Sequence, residues 1–132
     1  MLRTLRFLCA LFLLAMALPA SAAGLSPIDV KSVLGQPFSA EVELLGLTAD
    51  DMLTAQTRLA SPEEYEKAGV PVTALNHQLR VTIDERGKDK RYLKITSGAP
   101  VNEPAITLIL EFSWRGGRML QRYSVLLDPP KA

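Results

Sequence analysis

The chain has 132 residues, of which 48% are hydrophobic, and its 15 basic and 14 acidic residues give a net charge of +1 at pH 7. Charges of both signs are spread evenly, so the sequence lacks the basic footprint of a nucleic-acid-binding protein and a polybasic membrane patch. One cysteine, Cys9, and one histidine, His77, are present. A multi-histidine metal site is therefore excluded.

Residues 1–22 have the layout of a secretory signal peptide. Arg3 and Arg6 form the basic start, and the apolar run 7–18 is shorter than the about 20 residues that span a bilayer. Small residues follow, and we predict cleavage after Ala22 or Ala23. We therefore expect the protein in the periplasm.

Removal of this segment would take away Arg3, Arg6 and Cys9. Cys9 is not predicted to carry a lipid, because the hydrophobic stretch that precedes the cysteine of a lipoprotein signal is missing. The exported chain would keep 13 basic and 14 acidic residues and no thiol. This excludes a disulfide framework, a cysteine-ligated metal and a thiol nucleophile. Its 110 residues fit one domain, which we place at 23–130, with 131–132 as a tail or the start of a linker.

Most of the exported chain predicts short strands, and the first hairpin covers residues 28–45. Apolar residues alternate with polar ones on both sides of a corner at "GQP", so Glu41 and Glu43 fall on the solvent face. The predicted inward residues are Ile28, Val30 and Leu34 before the corner, then Phe38, Ala40, Val42 and Leu44.

Two short helical segments follow. "LTADDM" predicts one turn, with Thr48 three residues before Asp51. "SPEEYEKAG" predicts a longer helix. Its N-cap, first residue, capping-box partner and C-terminal stop are expected to be Ser61, Pro62, Glu64 and Gly69.

A second hairpin is predicted where two alternating runs flank the charged turn "ERGKDK". Leu79, Val81 and Ile83 are the inward residues of one strand, and Leu93 and Ile95 those of the other. "SGAPVNEP" is expected to be a connector, because its prolines remove donors from a strand ladder.

A third hairpin is predicted in "FSWRGGRMLQRYSVLLDPP". A two-residue Gly116-Gly117 turn would pair Trp114 with Met119 and Glu111 with Arg122. It would also pair Arg115 with Arg118, Leu110 with Tyr123, Leu108 with Val125, and Ile106 with Leu127. About seven strands and two short helical turns predict a mainly all-β fold, an Ig-like two-sheet β-sandwich.

The sequence offers few groups for catalysis. His77 lies among polar neighbours and is expected to be exposed. A catalytic pair of carboxylates needs an enclosed cleft that raises the pKa of one of them. The sequence predicts no such cleft around Asp50 and Asp51 or around Glu41 and Glu43. The glutamates within 63–66 suit a helix N-terminus better than a metal. No GxSxG, P-loop or dinucleotide motif occurs. We therefore predict no enzyme, no catalytic residue, no metal and no cofactor.

Exposed aromatic and cationic residues are the candidate binding groups. Trp114, Arg115 and Arg118 surround the last turn, although Trp114 shares the parity of core residues, which favours packing. Tyr92 is the fourth candidate partner-binding residue. The alternative hypothesis is a peptidoglycan- or glycan-binding module that uses Tyr65, Tyr92 and Trp114.

Three stretches resemble the N-terminal periplasmic domain of the FimV/HubP/TspA family: "IDVKSVLGQPFSAEVELLGL", "ASPEEYEKAGV" and "VNEPAITLILEFSWRGGRMLQRYSVLLDPP". The resemblance covers residues 24–130. It implies a non-catalytic interaction or scaffold domain that supports type IV pilus assembly, secretin organisation and twitching motility. The expected partner is an envelope protein of the pilus or secretion machinery, such as a secretin.

Members of that family usually continue into a linker, a peptidoglycan-binding LysM motif, a transmembrane helix and an acidic cytoplasmic part. This chain stops at Ala132 and has no later apolar run long enough to span a membrane, so we expect either a fragment or a stand-alone version. A partner's strand could add to an unpaired sheet edge. The sequence leaves open which edge that is.

Overall fold

The computed structural model describes residues 23–130, and the predicted signal peptide lies outside them. The described residues form eight strands, two short α-helices and one 3-10 helix, which confirms the expected Ig-like two-sheet sandwich. The strands are β1 (Gly24–Leu25), β2 (Asp29–Val30), β3 (Pro37–Leu45), β4 (Gln56–Leu59), β5 (Leu79–Arg86), β6 (Lys90–Pro100), β7 (Ala105–Trp114) and β8 (Gly117–Leu126). The helical segments are α1 (Ala49–Met52), α2 (Pro62–Lys67) and the 3-10 helix Ala74–His77.

Both sheets are antiparallel. The larger has the order β1-β3-β6-β5, with β2 also paired to β3, and the smaller has the order β4-β7-β8. β4 also lies close to β5, so the two sheets approach each other along that side. β8 is an edge of the smaller sheet. The edge of the larger sheet that lies opposite β5 consists of the two-residue strands β1 and β2.

The core lies between the sheets and is built from alternate strand residues. The inward residues predicted for β3 are all buried, as are Leu93 and Ile95 of β6. From β7 the core receives Ile106, Leu108, Leu110 and Phe112. Full burial of one such side chain contributes about 1.5–3 kcal/mol, which makes this alternation the main determinant of the fold.

The N-terminus of α1 confirms the predicted helical turn and adds a capping box to it, whereas that of α2 corrects the capping box predicted there. In α1 the Thr48 N–H donates to Asp51 Oδ2 at 2.9 Å, and the Asp51 N–H donates to Thr48 Oγ1 at 3.2 Å. In α2 the Ser61 side chain makes no capping bond, so the predicted box with Glu64 is wrong. Glu64 lies 3.4 Å from Arg118 instead, because α2 packs on the sheet that carries this arginine.

The predicted connector "SGAPVNEP" is partly wrong, since β6 continues through Pro100. The pairing with β3 shifts between Pro37 and Ser39. At this irregularity the Ser97 hydroxyl accepts a bond from the Phe38 N–H and donates to the Ala99 carbonyl, both at 2.7 Å. The end of a strand beside a bulge tolerates a residue without an N–H.

The β7–β8 hairpin has a different register from the predicted one. Trp114 pairs with Gly117 rather than Met119, and the turn consists of Arg115 and Gly116. The predicted apolar pairs are replaced by Phe112 with Met119, Leu108 with Tyr123, and Ile106 with Val125. Because the shift is two residues, every side chain keeps its predicted face, and a period-two pattern cannot distinguish the two registers.

The shift also overturns the predicted pair of Glu111 with Arg122. Glu111 lies opposite Leu120, and Arg122 lies opposite Ile109. The carboxylate binds other arginines, as described below.

The glycines of this turn leave room for an indole ring. A Cβ at Gly116 would lie 2.6 Å from Trp114 Nε1, and one at Gly117 would lie 3.4 Å from the same ring. Neither glycine has a positive φ, which the predicted turn would have favoured. Packing of Trp114 over the turn therefore explains Gly116, whereas a Cβ at Gly117 would make only an ordinary contact.

Candidate protein-interaction surface

Helix α2 covers part of the outer face of the smaller sheet through one buried aromatic residue. Tyr65 is 1% exposed and packs against Ala60, Val70 and Ile109. Its hydroxyl accepts hydrogen bonds from the Ile109 N–H at 3.0 Å and from Asn76 Nδ2 at 3.2 Å. Burial raises the pKa of Tyr65. The expectation that Tyr65 is an exposed ligand contact is therefore wrong, because it fastens α2 to β7 where β4 ends.

A buried carboxylate lies on the same outer face. The side chain of Glu111 is 6% exposed, and its two oxygens accept bonds from Arg58 Nε and Arg118 Nε. The bond from Arg58, followed by that from Arg118, holds the pKa of Glu111 below its usual value although burial opposes this. Because Arg118 also reaches Glu64, the cluster links β4, β7, β8 and α2.

Three of the four predicted binding residues lie together at the β7–β8 turn, but their environments differ. The half-buried Trp114 ring packs on Phe112 with centroids 5.6 Å apart. Arg118 is held by Glu111, which raises the pKa of its guanidinium. The Arg115 N–H donates to Thr54 Oγ1 at 2.9 Å, and its exposed side chain makes no ion pair within residues 23–130.

Tyr92, the fourth predicted residue, lies on the larger sheet. The Arg86 guanidinium lies 4.5 Å from the centre of the Tyr92 ring and also binds Glu41 and Asp84. The bond from Arg86 lowers the pKa of Glu41. Tyr92 therefore belongs to an ion-pair network on the opposite outer face of the sandwich, away from the hairpin residues.

Sequence reasoning missed an exposed stripe along β8. Leu126 is 81% exposed and Leu120 is 40% exposed. A shallow groove of about 310 Å³ runs beside this strand, with Ile109, Leu120, Arg122, Glu64, Lys67 and Ala68 as its lining. The spacing of two leucines among polar residues of one parity could have indicated this stripe. Such a stripe indicates a binding surface only on an edge strand, and the sequence alone does not give the order of strands that makes β8 an edge.

The described part of the chain offers no group of three or more His, Cys, Asp or Glu residues placed to hold a metal ion. His77 lies exposed at the end of the 3-10 helix, as predicted for an uninvolved histidine. No helix within residues 23–130 is long and apolar enough to cross a membrane.

The two packed antiparallel sheets define an Ig-like domain, and β8 forms a long edge of the smaller sheet. Within residues 23–130 this domain holds no metal-binding cluster. Residues 23–130 match the family of the FimV N-terminal domain, an Ig-like domain, and the chain therefore belongs to that family. The predicted resemblance is confirmed.

The curated relatives are the motility hub protein FimV of Pseudomonas aeruginosa strains PAO1 and UCBPP-PA14. Each is 40% identical to the chain over 107 residues, which is 81% of this chain. The aligned part covers 12% of the length of those relatives. No solved structure matches the chain.

Proposed function

We propose that residues 23–130 form a non-catalytic protein-interaction domain that acts in the periplasm and supports type IV pilus assembly, secretin organisation and twitching motility. The observation that carries this proposal is the match of the whole described domain to the N-terminal domain of a motility hub protein. The signal-peptide layout of residues 1–22 supports the periplasmic location.

Surface chemistry favours a protein partner over a glycan. Glycan-binding modules present aromatic ring faces, whereas Tyr65 is buried, Tyr92 lies under Arg86 and Trp114 packs on Phe112. The smaller sheet instead presents a ten-residue edge strand with exposed leucines. Such an edge suits recognition of another polypeptide through its backbone.

Deletion of the gene in the bacterium that encodes it tests the cellular role. We expect smaller twitching zones and fewer secretin multimers, with recovery when the full protein is restored. Pull-down of the exported protein should recover a pilus or secretion component. Normal motility together with repeated failure to recover such a component would refute the proposal.

Sedimentation with purified peptidoglycan sacculi separates the glycan alternative. Under our proposal the protein stays in the supernatant, whereas a peptidoglycan-binding module would pellet. Mass spectrometry of the exported protein should show an N-terminus at Ala23 or Gly24. An intact Met1 in the membrane fraction would contradict export with cleavage.

A further inference from the structure

We propose that the β8 edge docks an extended acidic segment of another envelope protein, which adds as a fourth strand to the β4-β7-β8 sheet. This inference rests on the proposed protein-interaction function and names the surface and the chemistry of the partner. It concerns one strand, residues 117–126.

The backbone of β8 has free hydrogen-bonding groups on its outer side. Ile109 directs its N–H to the Tyr65 hydroxyl and its carbonyl to the Ala60 N–H, both away from β8. Its cross-strand partner Arg122 must then turn its own N–H and carbonyl away from β7. Alternation along an antiparallel ladder extends this orientation to every second residue of the strand: Arg118, Leu120, Arg122, Ser124 and Leu126.

These outward groups have almost no partners within the described chain. The Arg122 carbonyl accepts a bond from Gln121 Nε2 at 3.1 Å, an exposed contact that an incoming strand can displace. Edge N–H and carbonyl groups in such a row form a template for another strand. These five outward residues, with one N–H and one carbonyl each, allow up to about ten further backbone bonds.

The side chains along this row specify the chemistry of the incoming segment. Arg122 is exposed and makes no ion pair within residues 23–130, and Lys67 lies across the groove. Leu120 and Leu126 flank Arg122 on the same face of the strand and are exposed. A carboxylate opposite Arg122 and apolar residues opposite the two leucines would complement the row.

A second copy of the chain fits this edge poorly. No acidic residue occurs in β8, so pairing of two β8 strands in any register leaves Arg122 opposite a neutral or cationic residue. Like charges directly opposite each other destabilise a sheet. Charge complementarity therefore favours a foreign acidic segment over self-association.

A synthetic peptide with the length of β8 and with alternating glutamate and valine is the probe. It is titrated into the purified exported protein, next to a control peptide with lysine in place of glutamate. We expect the glutamate peptide to bind at least about tenfold more tightly, because it places carboxylates beside Arg122 and Lys67. Hydrogen exchange should slow at the outward amides of β8.

Two pairs of variants locate the binding. Ser124→Pro removes one outward N–H without touching the β7 ladder and should weaken binding at least about tenfold, whereas Ser124→Ala should change it less than about twofold. Arg122→Glu should reverse the preference to the lysine peptide. Arg80→Glu changes an exposed arginine on the other sheet and should leave the preference intact.

Equal binding of the two peptides, protection on another strand, or full binding by both Ser124→Pro and Arg122→Glu would overturn the proposal. A dimer that depends on β8 in sedimentation would also overturn it, since the occupant would then be a second copy. In cells, each variant is returned to a deletion strain that has lost twitching. Full recovery of twitching with both Ser124→Pro and Arg122→Glu would refute the β8 edge as the docking site but not the cellular role. A deletion strain with normal twitching would refute the cellular role and leave the peptide experiment to decide the edge.

Discussion

The two outer faces of the sandwich use their charges differently. On the larger sheet, Arg86 binds Glu41 and Asp84 and covers Tyr92, so the cation and carboxylates of this network are paired with one another. On the smaller sheet, Glu111 is paired twice, yet the exposed Arg122 of β8 has no acidic partner among the described residues.

Arg80 and Lys94 of the larger sheet are also exposed and make no ion pair within residues 23–130. The difference lies in the backbone beside the charge. Lys94 is on a strand that is paired on both sides and Arg80 on an edge strand close to β4, whereas Arg122 is on an edge whose outer groups are almost all unpaired.

The edges of the two sheets differ in the same way. The larger sheet ends on one side in two strands of two residues, which offer an incoming strand little backbone, and on the other side in β5, which lies close to β4. The smaller sheet ends in ten residues, and natural proteins usually protect such edges with charged side chains. Under our proposal Arg122 serves this purpose, because a second copy of β8 offers it no carboxylate, while an acidic segment does.

The largest effect on stability is expected from Tyr65, with Tyr92 on the other outer face as its comparison. Tyr65→Phe leaves the buried Ile109 N–H and the Asn76 amide without their acceptor, so the free energy of unfolding should fall by about 2–3 kcal/mol. Tyr92→Phe, on the other sheet, should change it by less than about 0.5 kcal/mol. Urea unfolding measures both. Equal losses would contradict the difference between the two faces.

The second comparison uses one carboxylate from each network. Glu111→Gln should lower the free energy of unfolding by about 1–2 kcal/mol, because the carboxylate is buried and accepts bonds from Arg58 and Arg118. Glu41→Gln should cost less, since the side chain of Glu41 is 16% exposed against 6% for Glu111, so water screens its pair with Arg86 more. Denaturant titration of both variants at pH 7 checks the order, and a larger loss for Glu41→Gln would reverse our account.

The turn of the β7–β8 hairpin gives a smaller effect. Gly116→Ala forces the Trp114 ring to move and should cost about 1 kcal/mol. Gly117→Ala brings only an ordinary contact with the same ring and should cost less. Thermal melts and Trp114 fluorescence follow both changes. An unchanged emission spectrum in Gly116→Ala would show that the ring does not set the turn.

The smallest effect is the pH dependence of Glu111. Its arginine partners lower its pKa in the folded protein below the usual 4.5, so its contribution is present above that pH. It is lost as the pH falls through the folded pKa, because the unfolded chain takes up the proton first. Glu111→Gln should therefore show a shallower loss of stability on acidification. Parallel curves for the variant and the original protein would contradict this assignment.

The strands and their faces could be predicted from the sequence because burial follows a period of two. That period predicted the inward residues of β3 and β6 correctly. It could not fix the β7–β8 register, since a shift of two residues preserves every face. The extension of β6 to Pro100 escaped prediction because it lies beside an irregularity at which the Phe38 N–H of the neighbouring strand donates to the Ser97 hydroxyl.

The candidate surface was predictable only in part. The hairpin residues Trp114, Arg115 and Arg118 do lie at one end of the sandwich, whereas Tyr92 lies on the other sheet. The partners of Glu111 are Arg58, 53 residues away along the chain, and Arg118, 7 residues away. No local sequence pattern could therefore reveal both. The importance of β8 follows from its place in the sheet order.

Crosslinking in living cells tests the central claim most directly. A photoreactive residue replaces Leu126 on β8 or, as a control of matched exposure, Leu53 at the end of α1, since these side chains are 81% and 83% exposed. We predict a discrete adduct from position 126 that is absent from position 53, is lost with Ser124→Pro and maps to an acidic extended segment of an envelope protein. Equal adducts from both positions, or an adduct from position 53 alone, would contradict the claim.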